Sequence, residues 1–98
     1  MFKEIKELLK TEDTWTQNAY SRNSFNSALA LDYGVDDAVK WDLSGACWKL
    51  FKSQDTLDDF EYKLQNVGME YNLTEWNDNH THKEIIELLD KAIEKYEN

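Results

Sequence analysis

The chain has 98 residues, 41% of them hydrophobic, 32% charged and 13% aromatic, with three glycines and no proline. That length admits one domain around one modest core, and four Trp, five Tyr and four Phe supply more burial than a disordered chain carries. A net charge of −9 and a pI near 4.5 exclude a generic phosphate-backbone binder and disfavour a membrane-surface role, since both need an excess of Lys and Arg.

Met1 to Glu7 is charged throughout and lacks the apolar stretch of a signal peptide. No run approaches the roughly 18 apolar residues of a membrane span. Cys47 is the single cysteine, so the fold must rest on packing and not on a disulfide. A cytoplasmic protein is expected.

Phe2, Ile5, Leu8 and Leu9 share one face of a short amphipathic helix that ends at Thr11–Thr14. Residues 15–33 are the least periodic part. Asn18, Ser21, Asn23, Ser24, Asn26 and Ser27 favour turns through bonds to nearby backbone, which predicts a loop with one short hairpin. Asp36 or Asp37 then opens a helix expected to run to about Lys52, with Val39, Leu43, Ala46 and Leu50 on one face and Trp41, Gly45 and Trp48 along the next. Thr56-Leu57-Asp58-Asp59 predicts another helix start, continued by Phe60, Leu64 and Val67 and stopped at Gly68. Residues 69–79 read as a connector. Thr81-His82-Lys83-Glu84 is a capping box ahead of a wide apolar stripe from Ile85 to Tyr96. The expected fold is therefore mainly α: a compact single domain, residues 1–98, of about four helices with an irregular or hairpin-like insertion near residues 15–34.

Charge is unevenly spread. Residues 54–78 hold Asp55, Asp58, Asp59, Glu61, Glu70, Glu75 and Asp78 against Lys63 alone. Helical spacing turns Leu57, Phe60 and Leu64 to the core and most of the carboxylates outward. Such a surface can serve solubility, or it can dock a basic groove in place of nucleic acid. Trp76, in the acidic connector, is the aromatic most suited to join that surface, although its spacing also fits the core.

Little else points to chemistry. Asp78, His80 and His82 are metal-ligand types, but they are the only histidine cluster and lie in a helix-entry loop; no metal and no cofactor is expected. Cys47 between Ala46 and Trp48 reads as a small buried hydrophobe and not a nucleophile. Asp42, between Trp41 and Leu43, reads as a buried polar anchor bonding loop backbone or as the solvent edge of its helix, with a structural role favoured in either case.

Trp41-x-x-x-Gly45-Ala46, Trp76-Asn77-Asp78 and Thr81-x-x-Glu84-Ile85-Ile86-x-Leu88-Leu89 together resemble a family of small bacterial and phage proteins of unknown function. That family carries a Trp-Cys-x-x-Gly-Ala-Leu helix, a Trp-Asn-Asp segment and a closing Thr-His-x-Glu helix. The likeness covers roughly residues 8–94. It departs at Asp42, where the family often has Cys, and at Cys47, where an aliphatic is expected. The resemblance implies the fold and an association with phages; it implies no activity.

The functional expectation is a small acidic accessory protein of phage type that acts by stoichiometric binding and not as an enzyme. Its sharpest form is an inhibitor that mimics nucleic acid in the groove of a basic host or defence protein, through Asp55, Asp58, Asp59, Glu61, Glu70, Glu75 and Trp76. Direct nucleic-acid or membrane binding is not expected. The alternatives are a small-ligand or metal-dependent enzyme using Asp78, His80 and His82, and a homo-oligomeric structural module.

Overall fold

The computed structural model describes residues 1–98. Helix α1 spans Phe2–Leu8. A 3-10 turn at Glu12–Thr14 leads to strand β1, Ser21–Arg22, and strand β2, Ala28–Leu29. The short helix α2, Leu31–Gly34, and strand β3, Lys40–Trp41, precede four further helices: α3, Leu43–Phe51; α4, Gln54–Asn66; α5, Leu73–Asp78; and α6, His82–Tyr96. The architecture is mainly α, and residues 21–29 form the hairpin expected of the insertion. Strand β3 adds to its other side, giving the antiparallel order β2-β1-β3 with Ser21 opposite both Leu29 and Trp41.

Four helix starts obey one local rule. A short polar side chain with extended backbone accepts the amide of the third residue on, filling one of the donors a helix leaves open. Asp42 caps α3 through Gly45 N at 2.6 Å, and Ser53 caps α4 through Thr56 N at 3.1 Å. Asn72 caps α5 through Glu75 N at 2.8 Å, and Thr81 caps α6 through Glu84 N at 3.2 Å. At α6 the box closes reciprocally, with Thr81 N donating to Glu84 Oε1 at 2.9 Å.

The core lies between α1, α3, α4 and α6. Phe2, Ile5 and Leu9 of the first turns meet Leu43, Ala46, Phe60, Leu64, Ile85, Leu89 and Ala92, all buried. The Phe2 ring sits 5.6 Å from Phe60 and 5.9 Å from Tyr96. Glu97 ties the last helix back to the first: its carboxylate accepts from Phe2 N at 3.0 Å and Lys3 N at 2.9 Å. Burial opposes ionisation of Glu97, but these bonds and the terminal ammonium outweigh it and hold the carboxyl below its usual range.

Three expectations are corrected. The helix expected from Asp36 starts only at Leu43, because the backbone of Lys40 and Trp41 is committed to β1 and Trp41 O accepts Thr16 N at 3.1 Å. Val39 and Leu50, placed on its core face by spacing, are exposed. The helix expected from Thr56 begins two residues earlier, at Gln54, because Ser53 caps it. The connector at residues 69–79 contains α5, which buries Leu73, Trp76 and Asn77.

Candidate functional site

Helix α5 is too short to stand alone, so its position depends on what grips it. Asn77, fully buried, uses its whole hydrogen-bonding capacity. Its Oδ1 accepts from Trp15 Nε1 at 2.9 Å and Leu43 N at 3.2 Å, while Nδ2 donates to Thr16 O at 3.0 Å and Asp78 Oδ1 at 3.2 Å. Gln17 Nε2 donates to the carbonyls of Asn77, Asp78 and His80, the last at 2.8 Å, satisfying the open end of α5. Asn18 N donates to Asp78 Oδ1 at 2.8 Å. Residues 15–18 are thereby fastened along α5, and Asn18 takes a left-handed φ of 63° to turn the chain into β1.

The next residues meet α3. Tyr20 O accepts Asp42 N at 3.0 Å. A side chain at Gly45 would run into that same carbonyl, so only glycine permits the approach. Between the loop, the start of α3 and α5 lies a cavity of about 330 Å³ lined by Asn18, Ala19, Tyr20, Asp42, Thr74 and Asp78. Tyr20 and Thr74 also wall a second cavity of about 290 Å³, which includes Asp58 and Glu61 of α4. Neither has a lysine or arginine in its lining.

Asp42 lines the first cavity. It is 1% exposed; Oδ1 accepts from Gly45 and Oδ2 has no hydrogen-bond partner. Burial pushes its carboxyl well above the usual carboxylate range, and the nearby charge of Asp78 pushes the same way. The expected polar anchor is real, and it is one half of a carboxylate pair.

The other sequence candidates are dispersed. Asp55, Asp58 and Asp59 are exposed on α4, and Glu70 and Glu75 are exposed beyond it. Asp59 pairs with Lys63 at 3.0 Å, and Asp58 accepts from Gln54 at 2.9 Å. Glu61 is half-buried and accepts Leu73 N at 3.0 Å, so its carboxylate positions α5 instead of projecting freely. Trp76 does not lie on the surface. It is buried, its ring stacked 3.8 Å from His80, whose Nδ1 bonds Trp76 O at 2.7 Å.

Asp78, His80 and His82 do not converge. His82 Nε2 turns away to Leu9 O at 2.6 Å, and no group of three or more His, Cys, Asp or Glu is arranged to hold a metal. Cys47 is buried, and its thiol is pushed up to about 12 by desolvation, which keeps it from acting as a nucleophile. Sequence reasoning missed the hydrogen-bonding role of Asn77, noted as part of the Trp76-Asn77-Asp78 motif, and missed the role of Gln17.

A small mainly α domain whose loop and short helix are knit by a buried asparagine, with two acids in an adjoining cavity, is the class these features define. No helix is long and apolar enough to cross a membrane. The chain belongs to DUF6197, a family of unknown function, which matches residues 1–95. No curated protein and no solved structure matches it.

Proposed function

We propose that this protein acts by stoichiometric binding of a basic protein partner through the outward face of α4, without turnover. The observation that carries the reading is a single row on that helix. Asp55, Asp58 and Asp59, and then Tyr62 recur at helical spacing, all exposed, with the 63%-exposed Tyr62 ring closing the row. Carboxylates beside an exposed tyrosine are the composition of a surface that steers a cationic partner in and then holds it by aromatic contact. Glu70 and Glu75 extend the negative potential toward α5. In its sharper form the reading has the row take the place of nucleic-acid phosphates in the partner's groove.

The test compares wild type with Asp58→Lys/Asp59→Lys as immobilised bait in host lysate, washed at low and then high salt. Both positions are exposed, and losing the Asp59–Lys63 pair while setting two lysines four residues apart costs about 1 kcal/mol or less, so circular dichroism should report an unchanged fold. A nucleic-acid-binding protein retained by wild type, released by salt and lost by the variant supports the reading. The same proteins on both baits would overturn it.

A further inference from the structure

We propose that the cavity between residues 18–20, the start of α3 and α5 binds a guanidinium group, held between Asp42 and Asp78 of its lining. The site shares no residue with the α4 row, although Asp58 of that row lines the neighbouring cavity.

Three observations carry this. The first is the cavity, about 330 Å³, within the size range of small-molecule sites. The second is Asp42 Oδ2, an oxygen on a residue 1% exposed that no protein group satisfies. Buried polar atoms almost always have partners, and one left open on a cavity-lining residue marks a place for a ligand group, whose positive charge would favour the ionised carboxylate over its protonated form. The third is Asp78, whose two bonds, from Asn18 N and Asn77 Nδ2, both fall on Oδ1, leaving Oδ2 for a ligand. Two acids without a basic residue in the lining set the sign of the ligand: it is a cation.

The chemistry narrows further. Calcium takes six to eight oxygen ligands and softer metals a compact set of His, Cys and carboxylate, which this lining lacks, while magnesium keeps most of its water and gains little from a carboxylate buried as deeply as Asp42. An ammonium is strongly hydrated and loses much on meeting a buried carboxylate. A guanidinium is weakly hydrated, permanently charged and planar, with five donors that can reach two carboxylates at once. The hydroxyl of Thr74, another lining residue, offers a further acceptor. The rim shared with the second cavity, at Tyr20 and Thr74, leaves room for the chain that carries the guanidinium, with Asp58 and Glu61 beyond.

The group can arrive on a free metabolite or on an arginine side chain of a protein, and two probes separate these. Agmatine and an acetylated, amidated Gly-Arg-Gly peptide are each titrated to millimolar concentration while amide NMR signals are followed. Wild type should show saturable shifts at Asn18, Gly45 and Thr74. Asp42→Asn and Asp78→Asn should each weaken the agmatine response about 10-fold or more, while Glu7→Gln on α1 leaves it unchanged. Asparagine retains both structural roles, since it caps helices as well as aspartate does and its Oδ1 can still accept from Asn18. Binding of agmatine alone assigns the site to a free guanidinium compound, and binding of both assigns it to a side chain as well. No shift at these amides with either probe, or equal shifts in wild type and both cavity variants, overturns the proposal.

Discussion

Replacing Asp42 by Asn isolates the energetic effect of burying an acid where an amide would serve the fold equally well. The cap to Gly45 N survives, because asparagine accepts that bond as readily. What disappears is the titration. In the folded protein the Asp42 carboxyl is held well above the ordinary carboxylate value by burial, with Asp78 adding to the effect; unfolded, it returns to about 3.9. The folded state therefore binds the proton more tightly than the unfolded state. Its stabilising contribution is complete below the unfolded value and is lost as pH rises toward the folded one. Each pH unit within that window removes about 1.4 kcal/mol from wild type relative to the variant. For a domain of this size that is a relative shift in Tm of roughly 5–10 °C per unit. Thermal melts of both proteins at intervals from pH 4 upward should show curves that start together and diverge, with the variant the more stable at neutral pH. Parallel curves would refute the reasoning, for they would mean that Asp42 ionises in the fold as freely as in water.

Gly45→Ala gains helix propensity yet should lose about 1–3 kcal/mol overall in chemical denaturation, because its methyl group meets the Tyr20 carbonyl; a stabilised variant would show that the loop yields. Asn77→Ala strands Trp15 Nε1 and Leu43 N and should cost about 3 kcal/mol, read from a denaturant transition followed by tryptophan fluorescence; an unchanged midpoint would remove Asn77 from its place as the centre of the network. Cys47, with its thiol pushed up to about 12 and its side chain buried, should resist a thiol reagent at pH 8 until denaturant is added, and labelling of the native protein at the rate of a free thiol would contradict its burial.

How far these features were legible in the sequence depends on the range of the interaction that makes each one. The closing helix was fully readable, since Thr81, Glu84 and the stripe from Ile85 onward all act within one or two turns. The α4 face followed from the spacing of Leu57, Phe60 and Leu64. The start of α3 was not readable. Val39, Leu43, Ala46 and Leu50 imitate a helical face, and what overrides them is the pairing of Lys40 and Trp41 with β1, a contact local periodicity does not encode. Helix α5 carried a short signal, Asn72-x-x-Glu75, too slight to outweigh its length of six residues. Asp42 was visible as an acid in apolar company. Asn77 was not, since Leu43 and Trp15 lie 34 and 62 residues away along the chain.

The cavity differs from the rest of the molecule in what its residues are needed for. Elsewhere the fold explains the side chains: Ser53, Asn72 and Thr81 cap their helices with neutral groups, which is all the open amides require. At α3 the same task falls to an acid, buried, with its second oxygen unused and another acid beside it. That choice works against folding at neutral pH, so the cap alone does not account for it. The surroundings are meanwhile fixed with unusual care. Gln17 and Asn18 pin the loop to α5, Asn77 pins α5 to α3, and Gly45 lets the Tyr20 backbone close on the helix. A rigid wall around an unsatisfied acceptor is the arrangement that binds with little ordering penalty, because the geometry is set before a ligand arrives. The same rigidity explains why Asp42 cannot turn outward to escape burial: its backbone N–H is held by Tyr20 and its Oδ1 by Gly45. Apart from the proton that the raised Asp42 carboxyl retains, a bound cation is what would relieve the Asp42–Asp78 pair.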